Sequence, residues 1–228
     1  MTENPDYLGH RQRLRQRFIM GGGKSMPDYE LLELLLTISI PRRDVKPLAK
    51  ALIKKFGSFA EVVNAPMDEL LAFDGIKENS ATVIKIVKEA AIRMSWQSLE
   101  NKDEVIISKW DAMIDYCRMV MAYQDVEEFR VLFLNAKFKL IGEEVQQRGT
   151  VDHVAIHPRE VIKSAMNREA KAIILLHNHP SGDVTPSRAD IEITKQITKA
   201  AEAVEIKVID HVIIGKGGYY SFKDHQII

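Results

Sequence analysis

The sequence is short of cysteine, glycine and proline, and it has neither a long apolar run nor a net charge. One cysteine, Cys117, among 228 residues excludes a disulfide framework and a thiolate metal cage, and it fits a reducing cytoplasm. Only 12 Gly and 8 Pro, against 46% hydrophobic residues, exclude collagen-like and low-complexity tracts and predict ordinary globular structure. No window offers the roughly 18 consecutive apolar residues that a membrane span needs. The opening MTENPDYLGHRQRLRQRF carries no apolar stretch after its charges, which predicts no secretory signal. Basic and acidic residues balance at 32 each, yet the first 60 residues hold 11 Lys/Arg against 6 Asp/Glu. A basic head of this kind permits nucleic-acid contact without requiring it.

What is present divides the chain in two. Residues 1–98 read as a helical domain. Asp28 after Pro27 is a candidate N-cap for the apolar-periodic run through Leu36, and Leu48, Leu52, Ile53 and Phe56 repeat at helix period up to Gly57. Ser58 caps a short helix, Pro66 and Asp68 open another, and a longer helix follows Asp74-Gly75-Ile76-Lys77 to about Met94. The polar stretch 95–103 (SWQSLENKD) reads as a linker. Residues 104–228 then alternate strand and helix: strands at 105–107, 129–135, 139–147, 172–176 and 206–214, helices at 110–121, 158–166 and 188–203. That order predicts an α/β domain layered around one mixed sheet.

The chemistry concentrates in Leu176-His177-Asn178-His179-Pro180-Ser181-Gly182. A strand alternates faces with period 2, so His177 and His179 leave the same side while Asn178 points away. Both sit where an apolar strand runs into a Pro-Ser-Gly loop, and together they can hold one cation. Zinc accepts nitrogen and oxygen ligands, and a catalytic site takes three protein ligands with one position open. Asp190, in the first turn of the helix that Pro186-Ser187 begins, is the carboxylate able to face back over the loop. Ser187 lies one turn before it, where its hydroxyl can donate to a substrate oxygen. A proton acceptor that is not a ligand is also required. Glu127 or Glu128, before the strand FRVLFLN, can supply one, and period 2 alone leaves either residue able to face the metal.

The pattern His177-x-His179, seven residues, Ser187, two residues, Asp190 resembles the signature of the JAMM (MPN-plus) metalloproteases. The wider text RGTVDHVAIHPREVIKSAMNREAKAIILLHNHPSGDVTPSRADIEIT is similar to the RadC family, and the likeness continues through Asp210-His211 to Tyr220-Ser221-Phe222. The resemblance implies a JAMM/MPN-like, cytidine-deaminase-like α/β domain over 104–228. It further implies a Zn2+ site with His177, His179 and Asp190 as ligands, Ser187 beside the oxyanion, and an amide or isopeptide substrate. The family's Glu-x-Phe strand maps onto Glu127 rather than Glu128. The letters His-Asn-His do not make a nuclease, whose residues come from separated points of a ββα unit.

Phe73 to Ala81 resembles a helix-hairpin-helix, in which a Gly-hydrophobic-Gly turn offers backbone N–H groups to a DNA phosphate. Gly75 and Lys77 are its candidate DNA contacts. Lys77 stands where the second glycine belongs and Glu78 follows, so a structural hairpin is the default. A DNA-associated module with an auxiliary metal domain is the alternative to a hydrolase. Arg11, Arg13, Arg15 and Arg17 spread around a helix as a solvated face, and Gly21-Gly22-Gly23 reads as a hinge. His153 and His157 are candidates for the metal rim or for local packing. His211, inside an apolar strand, reads as a hydrogen-bonded core histidine. Cys117 reads as inert.

Overall fold

The computed structural model describes residues 7–100, 105–149 and 156–228. Its chain divides into two compact units, Met1–Ala91 and Ile92–Ile228. Among the described residues, no helix is long and apolar enough to cross a membrane.

The first unit is helical, as its periodicity predicts: α1 (Tyr7–Gly21), α2 (Asp28–Ser39), α3 (Lys46–Phe56), α4 (Phe59–Asn64), α5 (Met67–Leu71) and the start of α6 (Glu78–Leu99). Leu32, Leu36, Leu48, Leu52, Val62, Leu70, Ile76 and Ile84 close one apolar core. Ser58 caps α4 by accepting from Glu61 N. Asp28 does not cap its own helix. Pro27 holds that position, and Asp28 Oδ2 accepts from Phe59 N at 2.7 Å, capping α4 from a distance. The arginines of α1 are not all solvated either. Arg11 reaches the carbonyls of Ile40, Pro41 and Arg43, while Arg17 pairs with Glu30 at 2.9 Å. A helix packed beside a connector lets such a cation clasp the carbonyls that follow the end of the neighbouring helix.

Helix α6 runs on through residues 95–99, which therefore are not a linker; residues 101–103 of the expected linker lie outside the described residues. Its polar surface positions hide an inward stripe. Trp96 packs against Tyr116 with ring centroids 5.2 Å apart, and Leu99 is buried in the core of the second unit. The expected strand at 105–107 is instead a 3-10 turn over Ile106–Lys109. Ile106 N bonds the Phe138 carbonyl at 2.9 Å, while its side chain plugs the core.

The second unit is a five-stranded mixed sheet in the order β2-β1-β3-β4-β5, made of β1 (Glu127–Leu134), β2 (Leu140–Gly149), β3 (Ala172–Asn178), β4 (Lys207–Gly215) and β5 (Gly218–Ser221). The parallel pair is β3 with β4, joined by a crossover helix, and the other pairs are antiparallel. Helix α7 (Trp110–Met121) covers one face, with Ile174, Leu176, Val212 and Ile214 beneath it. Helices α8 (Pro158–Asn167) and α9 (Arg188–Glu202) cover the other, over Val131, Phe133, Ile173 and Leu175. Burial on both faces explains the unbroken apolar run Ala172–Leu176. Each fully buried Leu or Ile there contributes about 1.5–3 kcal/mol.

Strand β5 has no counterpart in the expectation, because Gly218-Tyr219-Tyr220-Ser221 is too short to show a period. Its anchor is Asp210, nearly fully buried, which accepts from Ser221 Oγ, Lys223 N and His211 N. Burial pushes this carboxyl up, against the pull of those three donors.

Cys117 lies on α7, fully enclosed, with burial and the charge of Glu143 pushing its thiol up to about 12. The thiolate is the reactive form. Iodoacetamide at pH 8 is therefore expected to leave the folded protein unmodified and to alkylate it stoichiometrically in denaturant, read by intact mass.

Candidate metal centre

The site is assembled where three elements end. Strand β3 is hydrogen-bonded on both flanks, with Phe129 opposite His177 on β1 and Ile213 opposite it on β4. Odd-numbered residues of β3 face α8 and α9, so His177 and His179 emerge on that side. Asn178 turns the other way and is fully buried. Its side chain accepts from Glu128 N at 2.8 Å and donates to the Val126 carbonyl at 3.1 Å, so it locks the start of β1. Beyond the strand, His179 N donates to the Ile214 carbonyl at 3.0 Å and Gly182 N to the His179 carbonyl at 2.9 Å. The loop 180–186 is thereby pressed onto the end of β4, with Gly182 at φ 85°.

Asp190 arrives from α9. Ser187 is the N-cap, and the two form a reciprocal capping box: Asp190 N donates to Ser187 Oγ at 3.1 Å, and Ser187 N donates to Asp190 Oδ2 at 2.7 Å. The box fixes the carboxylate and leaves the Ser187 O–H exposed and available as a donor.

The predicted trio converges. His177 Nε2 and His179 Nε2 are 3.0 Å apart, and they lie 3.4 and 3.6 Å from Asp190 Oδ1 and Oδ2. One ligand atom from each residue falls within 4.8 Å of the others, so the group can hold a metal ion. The spacing suits one. Nitrogen and oxygen ligands about 2.0–2.1 Å from a tetrahedral ion stand about 3.3 Å from one another.

The surrounding hydrogen bonds suit it too. His179 Nδ1 meets the Asp183 carbonyl at 2.5 Å, an acceptor, so that nitrogen carries a proton, and in the neutral ring Nε2 keeps its lone pair. His177 Nδ1 contacts His211 Nε2 at 2.8 Å. Burial pushes the Asp190 carboxyl up, but the two imidazoles beside it, together with Ser187, outweigh that and hold the group well below the usual carboxylate range. The carboxylate of Asp190 raises the pKa of His179, helped by the Asp183 carbonyl and the charge of Glu127 and opposed by burial, so the site favours positive charge at Nε2.

The two glutamates separate cleanly. Glu128 is buried and committed to Arg130, with Arg148 3.8 Å away. Glu127 is half-buried, shares its strand face with Phe129, and its charge is felt by His179.

His211 plays a larger part than a plain core histidine. A one-residue irregularity in β4, between the pairs Ile173↔Val208 and Ile174↔Asp210, inverts the alternation after Ile209. Ile209, Val212 and Ile214 all face α7, leaving His211 to face α9. There it contacts His177, meets Thr194 Oγ1 at 2.6 Å, and packs between Phe129 and Phe222. Burial pushes its pKa well below the usual value. No period-2 reading finds this, because the bulge has no composition signal.

His157 is the exposed residue preceding α8, and His153 lies outside the described residues. Gly75 adopts φ 89°, which suits glycine, and its carbonyl accepts from Arg43 Nη2 at 3.4 Å. Exposed Lys77 offers its carbonyl to Ser80 N and Ala81 N at the start of α6.

The loop supplies a test. A Cβ on Gly215 would stand 2.8 Å from the Gly182 carbonyl and 2.7 Å from Val184 Cγ1. Gly215→Ala is expected to displace the loop and to destabilise the protein by about 1–3 kcal/mol. Chemical denaturation checks that figure, and far-ultraviolet circular dichroism checks that the secondary structure survives.

Comparison with known proteins agrees with this geometry. Residues 107–227 match the RadC-like JAB domain, and residues 7–82 match the UPF0758 N-terminal region. The UPF0758 protein SPO0054 of Ruegeria pomeroyi is 49% identical over 220 residues, 96% of this chain and 97% of its own length. With a mixed sheet that brings His177, His179 and Asp190 together at one end, the chain belongs to the UPF0758 family and carries a RadC-like JAB domain, of the JAMM/MPN type.

Proposed function

We propose that the protein is a zinc-dependent hydrolase of amide or isopeptide bonds. The observation that carries this reading is the meeting of two imidazole Nε2 atoms and a carboxylate, within 3.0–3.6 Å of one another, beside a glutamate that is not one of them. His177, His179 and Asp190 would hold the ion. A zinc ion there supplies Lewis acidity, which lowers the pKa of water and polarises a carbonyl.

The chain's own groups do the rest. Glu127, on the face of β1 that carries Phe129, accepts the proton that the attacking water loses and returns it to the leaving nitrogen. Ser187 donates its hydroxyl proton to the carbonyl oxygen as that atom gains charge, its own oxygen being held by Asp190 N. Glu128 cannot take the first role, because its carboxylate already neutralises Arg130.

Elemental analysis and a peptide-library cleavage assay test the reading together. The purified protein is expected to hold one zinc per chain, and His177→Ala to hold none. Glu127→Gln should keep the zinc and lose turnover by at least about 100-fold, the usual scale of a general base. Full cleavage by Glu127→Gln would refute its role, and a zinc-free wild type would refute the metal.

A second reading, DNA association through the N-terminal unit, is favoured by one contact, the Arg43 guanidinium on the Gly75 turn next to Lys77. Fluorescence anisotropy of a labelled duplex with the full chain decides it. DNA binding predicts an affinity that falls steeply with salt and weakens further in Lys77→Glu; no binding at low salt discards the idea.

A further inference from the structure

His211 takes no part in the chemistry proposed above, yet it is fully buried against a candidate ligand. The protons along its contacts can be placed by elimination. The Asp190 main-chain carbonyl can only accept, so Thr194 Oγ1, 2.5 Å away, directs its single proton there. At its 2.6 Å contact with His211 Nδ1, the same oxygen is left to accept, which puts the ring proton of His211 on Nδ1. The ring of His211 is fully enclosed and its two nitrogens meet Thr194 and His177, neither of them a carboxylate, so a charge there would be buried unpaired; the ring is neutral, and a neutral imidazole protonated at Nδ1 has a bare Nε2. The 2.8 Å contact of that atom with His177 Nδ1 therefore takes its proton from His177. His177 is left with a lone pair on Nε2, the atom that faces His179 and Asp190.

We infer that Thr194 and His211 form a tautomer relay, two positioning residues that hold His177 in the one form able to bind a divalent cation; this rests on the metal reading above. The order of the protons is dictated from the backbone of one ligand residue, Asp190, and delivered to the side chain of another, His177. Reversed, the relay would put a proton on His177 Nε2, and the cluster would satisfy itself by internal hydrogen bonds with no place for an ion. Thr194 and His211 are both fully buried, and the ring of His211 is closed in by Phe222 at 4.6 Å and Phe129 at 5.7 Å. Bulk water is thus kept from supplying the opposite polarity. Outer partners of metal-bound histidines commonly set ring orientation and tautomer in this manner. Here the partner is a second imidazole whose own tautomer is set by a helix hydroxyl.

The test uses the full chain with 15N-labelled histidine, stripped of metal. Long-range 1H–15N correlation spectra are expected to show His177 protonated at Nδ1 and bare at Nε2. Thr194→Val keeps the side-chain shape and removes both functions of the hydroxyl, so His177 should become a mixture of tautomers. Zinc affinity, measured by competition with a chromogenic chelator, should fall roughly 10–100-fold. Thr194→Ser should restore both readouts. His211→Gln, whose amide can accept from His177 and donate to Thr194, should retain more affinity than His211→Leu, and it provides a second arm if Thr194→Val fails to fold. Wild-type His177 protonated at Nε2, or undiminished zinc affinity in both Thr194→Val and His211→Leu, would overturn the relay alone. A wild type with the expected tautomers that binds no zinc would overturn the metal reading, and the relay's purpose with it.

Discussion

Two imidazole Nε2 atoms turned toward each other and toward a carboxylate need positive charge between them. At separations of 3.0, 3.4 and 3.6 Å, the trio calls for a proton or a cation at its centre. Holding three such groups together without that charge requires a rigid frame, and the second unit provides one. His177 sits on a strand bonded on both sides, His179 is tied by its backbone to β4 and by its ring to Asp183, and Asp190 is fixed by its capping box. None of the three is carried by a loop whose ends are free to relax. Pre-organisation of this kind spares a bound ion the cost of ordering its own ligands.

The same frame assigns the acids different tasks by a shift of one residue. Glu127 and Glu128 are neighbours in sequence but opposite in direction, since strand faces alternate. Glu128 enters the side of the sheet that holds Arg130 and Glu143, where buried charges have to be paired. Glu127 keeps the side of Phe129 and the imidazoles, partly open to solvent and electrostatically linked to His179. Asp210 and His211 repeat the device on β4. The carboxylate is consumed by Ser221, Lys223 and its neighbour's N–H, and the imidazole is turned to the opposite side.

Much of this is legible in the sequence, and the exceptions share a cause. The His-x-His spacing carries its geometry with it, because period 2 puts residues 177 and 179 on one face wherever the strand lies. Pro186-Ser187 marks the start of a helix, which puts Asp190 in its first turn; the reciprocal capping box appears only in the structure. Helices α2, α3, α4, α7, α8 and α9 follow from apolar periodicity and from punctuation by Pro, Gly and Ser. What escaped was whatever depends on a distant segment. Asp28 caps α4 rather than α2, residues 95–99 stay helical because Trp96 and Leu99 find partners in the second core, and β5 exists because Asp210 pins it. The bulge at Ile209 escaped for the same reason: its position is decided by how β4 meets β3, and its consequence is that His211 faces the site.

A neutral outer partner for His177 also follows from charge arithmetic. Two neutral imidazoles and one carboxylate would leave a divalent ion with about one unit of positive charge, and Glu127 nearby would bring the locality close to balance. A carboxylate in place of His211 would add a second buried negative charge behind a ligand, with no cation left to compensate it, and an unpaired buried charge is costly. Imidazole avoids that cost and still accepts the His177 proton. It is also planar and apolar on its faces, so Phe129 and Phe222 can close around it. A carboxylate would need donors where those rings stand. The neighbouring Asp210 shows what such a group demands, since it engages three donors to remain buried. The hydrophobic wall behind the candidate centre and the histidine set into it are therefore one feature: the wall keeps water from the relay, and the relay is the polar arrangement that such a wall can enclose without leaving a donor or an acceptor unpaired.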